Sequence, residues 1–299
     1  MKFGIIEERK NPPDRRVVFF FFLIKTIQEQ FPVVSFKVEP SDIRIFSDAE
    51  YQNLGIEVTD DLSDCEVLFG VKEVPVEALI PNKKYFFFSH TIKKQPYNQK
   101  LLQAVLEKNI ELYDHETIVD AANKRLIGFG RYAGIVGAYN AIRAFGIKFE
   151  LFKMPKASGL KGRDALVQQV KRQIIPPIKI VVTGTGKVGS GVKEMLLAMK
   201  IKEVSVENFL TKKFTQPVFT QIDVLEYNKR MDGQKFDTKD FYKNPSEYES
   251  DFERFTKVAD IYISGHFHAN AAPQILSQKM LQASDCAIKI VADVSCDVN

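Results

Sequence analysis

The chain has 299 residues, enough for two domains of ordinary size, and its 45% hydrophobic and 27% charged residues are those of a globular protein. A net charge of +4 with basic residues interspersed among acids argues against nucleic acid as a partner. No apolar run reaches the roughly 18 residues of a membrane span.

Cys65, Cys286 and Cys296 show no paired spacing and read as reduced thiols of a cytoplasmic protein. The opening Met-Lys-Phe-Gly-Ile-Ile-Glu-Glu-Arg-Lys reads as a strand and a charged loop rather than a secretory signal.

In chain order the pattern predicts a strand at Lys2–Ile6, a helix at Phe22–Gln30, a strand at Val33–Val38 and a helix at Asp48–Leu54. Strands at Glu66–Val71 and Lys84–Ser89 follow, then a helix at Asn98–Lys108 and a strand at Ile110–Tyr113. The apolar run Val17–Ile24 reads as a buried strand–helix junction, with an exposed sticky patch as the alternative. Strands alternating with helices predict an α/β fold with a mainly parallel sheet, whose ligands bind beyond the carboxyl ends of the strands. Lys72, His90 and Glu116 fall at that edge.

Arg131–Phe145 is rich in Gly and Ala and predicts a helix that lets a neighbouring backbone come close, taken as the connector between domains. A helix near Arg163–Arg172 ends before Pro176-Pro177. Next comes Ile178-Lys-Ile-Val-Val-Thr-Gly-Thr-Gly-Lys-Val-Gly189, a β-branched run that stops at three glycines and leads into an amphipathic segment, Val192–Met199. A strand, a tight turn and a helix N-terminus make a dinucleotide site: Gly184 permits the turn, Gly186 admits a pyrophosphate, and Gly189 lets helix and strand pack closely. Thr185, Lys187 and Val188 complete the cofactor-binding turn.

A second strand near Glu203–Val206 would place Glu207 at its end, where a carboxylate accepts bonds from the adenosine ribose; this reads as NAD. Lys202, Lys212 and Lys213 lie close by and leave a 2′-phosphate open. Asp223–Phe255 is polar and reads as an insertion or mobile cover, and Ala259–Ser264 and Ile288–Val294 as buried strands. In Gly265-His-Phe-His, His266 is expected to line the cofactor cleft; a metal pair with His268 lacks a third ligand, so no metal is expected.

Several motifs together resemble one family. They are Gly4-Ile-Ile-Glu-Glu-Arg-Lys with Asp14-Arg-Arg-Val, Leu68-Phe-Gly-Val-Lys-Glu-Val-Pro, Phe86-Phe-Phe-Ser-His-Thr-Ile-Lys-Lys-Gln, Phe129-Gly-Arg-Tyr-Ala-Gly-Ile-Val-Gly, the glycine turn, and Val291-Ala-Asp-Val-Ser-Cys-Asp-Val. The chain resembles the saccharopine dehydrogenase (lysine-forming) and lysine-ketoglutarate reductase branch of the alanine dehydrogenase/transhydrogenase superfamily. The resemblance implies two Rossmann-like domains with an interdomain cleft. Residues 1–130 would be the catalytic and substrate domain and 131–299 the NAD-binding domain, with 131–177 as connecting helix and linker.

It also implies NAD-dependent oxidation of a secondary amine to an imine, followed by hydrolysis to an amino acid and a keto acid. Lys72 matches the proton-accepting lysine, and His90 the histidine that helps water add. Glu73 and Glu116 match acids that tune them, and Asp297 an aspartate near the nicotinamide. Arg16, Lys93, Gln95 and Arg131 match substrate-binding positions.

The chemistry stands without the name, because hydride leaves a carbon whose amine nitrogen must first be neutral, which needs a base near pH 7. Alanine dehydrogenase and a catalytically silent NAD-binding module are the alternatives. The sequence leaves the oligomeric state open.

The chain departs from the family at two places. Phe20 to Phe22 stand where the family has a hydroxyl residue capping a helix, a loss of about 1 kcal/mol. The chain also stops at Asn299, where the family continues through a C-terminal return segment. That segment is expected to be missing and the last residues to fray.

Overall fold

The computed structural model describes residues 1–12, 14–266 and 272–295. The chain forms two compact units, Met1–Gly128 and Phe129–Asn299.

The first unit runs β1 (Lys2–Ile5), α1 (Phe21–Gln30), β2 (Ser35–Val38), α2 (Asp48–Gln52), β3 (Glu57–Val58), β4 (Val67–Phe69), β5 (Lys84–Phe87), α3 (Gln99–Glu107) and β6 (Glu111–Asp114). Its sheet has the order β3-β2-β1-β4-β5-β6, with every pair parallel. Side chains alternate across it, so that Leu68, Tyr85 and Phe87 pack with Leu101 and Val105 of α3, while Ile5, Phe36 and Val38 pack with Ile24 of α1 and Tyr51 of α2. Parallel strands bring all their carboxyl ends to one edge, and the order reverses between β1 and β4, the place where such sheets open a crevice.

The phenylalanine run is a loop followed by a helix, not a strand–helix junction. Phe19 packs edge-on against Phe36 and Phe69, and Phe21 against Phe46 and Tyr51, while Phe22 is 60% exposed. Phe20 occupies the N-cap of α1 and its side chain makes no capping bond. A phenylalanine ring offers no oxygen to accept from the first amides of the helix, so packing rather than a cap sets where α1 begins.

The second unit runs α4 (Gly130–Lys148), α5 (Gly162–Lys171), β7 (Lys179–Thr183), α6 (Lys187–Ala198), β8 (Lys202–Glu203), α7 (Val206–Thr211), β9 (Val218–Ile222) and α8 (Val224–Tyr227). It continues with β10 (Asn228–Arg230), α9 (Thr238–Lys243), β11 (Tyr248–Ser250), α10 (Glu253–Thr256), β12 (Ile261–Ser264), α11 (Gln278–Gln282) and β13 (Ile290–Asp293). Its main sheet is β13-β12-β7-β9-β8, again parallel throughout. Helix α4, expected as a connector, packs against α6 within this unit, where a Cβ on Gly134 would lie 2.0 Å from the Val188 carbonyl oxygen.

Three expectations for this unit are corrected. The strand after α6 stops at Glu203, because Ser205 caps α7 by accepting a bond from the Asn208 amide, and β8 pairs with β9 only. Strand β7 lies between β12, which was expected, and β9, which the sequence reading did not identify. Strand β13 is the sheet edge, with Val291 45% exposed, rather than a buried strand.

The polar insertion is a folded module. Strands β10 and β11 form an antiparallel pair, and Arg230 ties Asp232, Asp240 and Glu247 together beside the packed rings of Phe236, Phe241 and Tyr248. Among the described residues no helix is long and apolar enough to cross a membrane.

Candidate active site

In the first unit, four loops at the carboxyl edge of the sheet bring charged groups together. Lys72 follows β4. Its backbone amide and that of Val71 donate to the Glu8 carboxylate, at 2.9 and 2.6 Å. Burial pushes the Glu8 carboxyl up despite these two bonds. The Lys72 ammonium makes no ion pair among the described residues, although its charge acts on Asp14.

His90 follows β5 and adopts a left-handed backbone, with φ 55°. Its Nδ1 lies 3.0 Å from Glu116 Oε2, and its Nε2 lies 3.8 Å from Glu73 Oε1, too far for a hydrogen bond. That Glu73 oxygen is buried without a hydrogen-bond partner, while Oε2 holds Lys10 Nζ at 2.6 Å. A buried orphan acceptor is costly and marks a place built for a further donor.

Glu116 Oε1 also faces Lys93 at 3.4 Å and Arg125 at 3.2 Å. Burial acts to raise the Glu116 carboxyl, but the His90 bond and the two cations outweigh it and hold it below the usual carboxylate range. Its contribution to stability is therefore present at neutral pH and is lost as the pH falls below that range.

Lys72, Glu73, His90, Lys93 and Glu116 thus fall at one edge of one sheet. Gln95 is exposed in the loop after His90. Arg16 differs from expectation, because its guanidinium holds Asp14 through Nε, 2.9 Å from Oδ1, and through a second bond to Oδ2. The Nε–Nη2 side of the guanidinium, one of its two faces able to grip a carboxylate, is occupied by a carboxylate of the chain itself. Burial would raise Asp14, but the Arg16 bonds prevail and hold its carboxyl low.

The sequence reading missed Arg125, which also lies over the Phe88 ring at 5.4 Å. The signal available was its place in Lys124-Arg125, just ahead of the Phe129-Gly-Arg-Tyr motif.

In the second unit a cavity of about 500 Å³ is lined by Gly184, Thr185, Gly186, Lys187 and Val188, with Asp223, Tyr242 and His266 among the other walls. The glycines fit a dinucleotide. Gly184 has φ +92°, which a side chain would strain. A Cβ on Gly186 would meet nothing within 4 Å, so the turn is open where a pyrophosphate would approach. A Cβ on Gly189 would lie 1.9 Å from the Gly184 carbonyl oxygen, and Gln221 Nε2 donates to that oxygen at 2.8 Å. Gly186 is the N-cap of α6 without a side-chain cap, leaving the first amides to a ligand.

Glu207 is not at a strand end; it sits in the first turn of α7. The acid that follows β9, one of the two strands beside β7, is Asp223, whose Oδ2 accepts from Thr185 Oγ1 at 3.2 Å and which lines the cavity. His266 lines it too, with Nδ1 2.8 Å from Thr183 Oγ1.

Arg131 is paired within this unit, holding Glu194 through two bonds of 2.6 and 2.8 Å. Asp297, His268 and Cys296 lie outside the described residues.

Two parallel sheets with helical crossovers, one followed by a glycine turn that fits a dinucleotide, define a protein of the Rossmann class with two units. Residues 4–136 match the family of the alanine dehydrogenase/PNT N-terminal domain. A solved L-alanine dehydrogenase superposes with a TM-score of 0.57 at 16% identity, covering 98% of this chain and 73% of that one.

An alpha-aminoadipic semialdehyde synthase of Arabidopsis thaliana is 30% identical over 99% of the chain and 32% of its own length. A saccharopine dehydrogenase [NAD(+), L-lysine-forming] of Yarrowia lipolytica is 26% identical over 56% of the chain and 50% of its own length. Along its length the chain is therefore similar to proteins that include the alanine dehydrogenase/PNT N-terminal domain family and enzymes named for saccharopine and alpha-aminoadipic semialdehyde. It spans about a third of the length of the Arabidopsis relative.

Proposed function

We propose that the chain is an NAD-dependent oxidoreductase acting on the CH–NH group of an amino acid, with saccharopine as substrate. The reading rests on His90, set between Glu116 at 3.0 Å and the orphan oxygen of Glu73 at 3.8 Å, beside the loop that carries Lys72. Bound NAD would accept a hydride from the substrate carbon.

Lys72, in its neutral form, takes the proton of the substrate nitrogen, so that the nitrogen lone pair can form the C=N bond as the hydride leaves. His90 then takes a proton from the water that adds to the imine carbon. Returned to the nitrogen, that proton makes the amine a leaving group, and as His90 takes the remaining hydroxyl proton the C=O bond forms and the C–N bond breaks, giving lysine and 2-oxoglutarate. Glu116 orients the imidazole through Nδ1 and stabilises its charged form, and Lys93 and Arg125 fix Glu116 in turn. The compartment proposed is the cytoplasm, with Cys65 and Cys286 as free thiols.

The test is NADH formation at about pH 9, where more of the amine is neutral, with saccharopine and separately with L-alanine. Turnover of saccharopine supports the reading. Turnover of alanine alone moves the chain to alanine dehydrogenase chemistry. NADH binding without turnover of either leaves a silent dinucleotide module and overturns the enzymatic reading.

The preference for NAD is assigned to Asp223 instead of Glu207. A carboxylate at the end of the strand beside the glycine turn accepts from the ribose hydroxyls and repels a 2′-phosphate. Asp223→Asn keeps the N-cap of α8 but removes the charge, and is expected to weaken NADH about tenfold while narrowing the gap to NADPH. Glu207→Gln should leave both dissociation constants unchanged. The reverse pattern in a fluorescence titration would return the role to Glu207.

A further inference from the structure

We propose that Asp114 and Ser89 are positioning residues that lock the His90 loop to the Glu116 loop and so fix which nitrogen of His90 faces Glu116. The proposal rests on the role given above to the His90–Glu116 pair.

Strands β5 and β6 are neighbours, with Phe87 opposite Asp114, so the two loops leave the sheet side by side. Asp114 is 7% exposed and Ser89 is fully buried. One oxygen of Asp114 accepts from the Glu116 amide at 2.7 Å, and the other accepts from the Ser89 hydroxyl. Ser89 Oγ in turn accepts from the Thr91 amide at 3.2 Å and touches the Thr91 hydroxyl at 2.8 Å. One buried carboxylate therefore holds both sides of the loop pair.

The lock has work to do. His90 sits in the left-handed region, which is unfavourable for a side-chain-bearing residue and persists only where surroundings impose it. The buried Asn98 supplies a further tie, its Nδ2 donating to the His90 carbonyl at 3.3 Å. With the backbone held on both sides, Nδ1 points at Glu116 Oε2. A neutral imidazole beside a carboxylate keeps its proton on that nitrogen, leaving the Nε2 lone pair on the side of Glu73. A general base must present the right nitrogen as well as the right charge, so tautomer control bears directly on water addition.

The chain has only four histidines, so imidazole nitrogen signals can be assigned by substitution. In ¹⁵N spectra the full chain should show His90 as the Nδ1–H tautomer. Ser89→Ala and Asp114→Asn should each convert it to a mixture of tautomers. Each should also lower kcat for saccharopine about tenfold or more, with the dissociation constant for NADH unchanged. Glu116→Gln should give the same tautomer change.

A merely structural role would lower the melting temperature and leave the His90 tautomer and kcat as they were, which would overturn the proposal. Should Asp114→Asn fail to fold, Ser89→Ala and Thr91→Val decide. If Glu116→Gln leaves turnover intact, the proposed reaction role fails, while the tautomer readout still decides whether the lock exists.

Discussion

Gly134→Ala is expected to lower the melting temperature by about 10 °C or more and to abolish NADH binding. The added Cβ would lie 2.0 Å from the Val188 carbonyl oxygen and 2.7 Å from the Val192 amide nitrogen, both backbone atoms of α6. The contact is mutual, since a Cβ on Gly191 of α6 would lie 2.0 Å from the Arg131 carbonyl oxygen of α4. Neither helix has a flexible side-chain end to move aside, so the axes must separate.

Alanine favours helix over glycine by roughly 1 kcal/mol, which sets the expected sign against the intrinsic preference of the chain. Separation would strip the apolar face formed by Ile135, Ala138 and Ile142 of α4 with Val192, Met195 and Leu196 of α6. Since α6 also carries the glycine turn at its N-terminus, the cofactor site moves with it.

Two controls separate packing from binding. Gly159→Ala meets nothing within 4 Å and should leave both properties alone. Gly186→Ala also meets nothing, so it should keep the melting temperature and lose only NADH binding. A Gly134→Ala protein with wild-type melting and binding would mean that the helices do not cross in backbone contact.

The stretch around that crossing was the most legible part of the sequence. Ile178–Thr183 is β-branched, the glycines follow at fixed spacing, and the small residues of α4 announce a close neighbour. Each of these signals is local. Strand β9 was missed because Val218-Phe-Thr-Gln-Ile222 carries Thr and Gln amid its apolar residues and lies beyond the first plausible second strand. The neighbour of β7 is a fact of the sheet and not of chain order, so Asp223 became visible only with the register. The module after it was unreadable for another reason: Arg230 and three acids are central to its holding together, and ion pairs have no period.

The charged edge of the first unit shows the same division. Lys72, His90 and Glu116 stand where apolar runs end, which put them at the sheet edge, while the roles expected of them came from the family resemblance. Nothing in the sequence singles out Glu8 or Asp114, yet each is buried and bonded to backbone amides of a neighbouring loop. Arg16 shows the converse, since an arginine two residues from Asp14 has a partner at hand before any substrate arrives. Sequence motifs locate the groups that do chemistry, and burial decides which polar groups hold them in place.

Lys72→Met should lower saccharopine turnover by about 10²- to 10⁴-fold, the usual worth of a positioned general base. Methionine keeps much of the length and apolar stem of lysine, and the backbone bonds to Glu8 do not involve the side chain, so the loop should stay where it is. What is lost is a nitrogen able to carry the amine proton, and with it the limb of the kcat/KM pH profile that belongs to the base. NADH binding, measured by fluorescence, should be unchanged, because the glycine turn belongs to the second unit.

Lys72→Arg supplies the decisive comparison. It keeps the positive charge beside Asp14 but cannot give up its proton in a protein, so it should be as inactive as the methionine variant if Lys72 is the base. If Lys72 serves only as a cation that holds a substrate carboxylate, arginine should restore turnover, and the weakened variant should show a raised KM with kcat intact. Rescue by arginine would therefore remove Lys72 as the proton acceptor and leave His90 to carry both proton transfers.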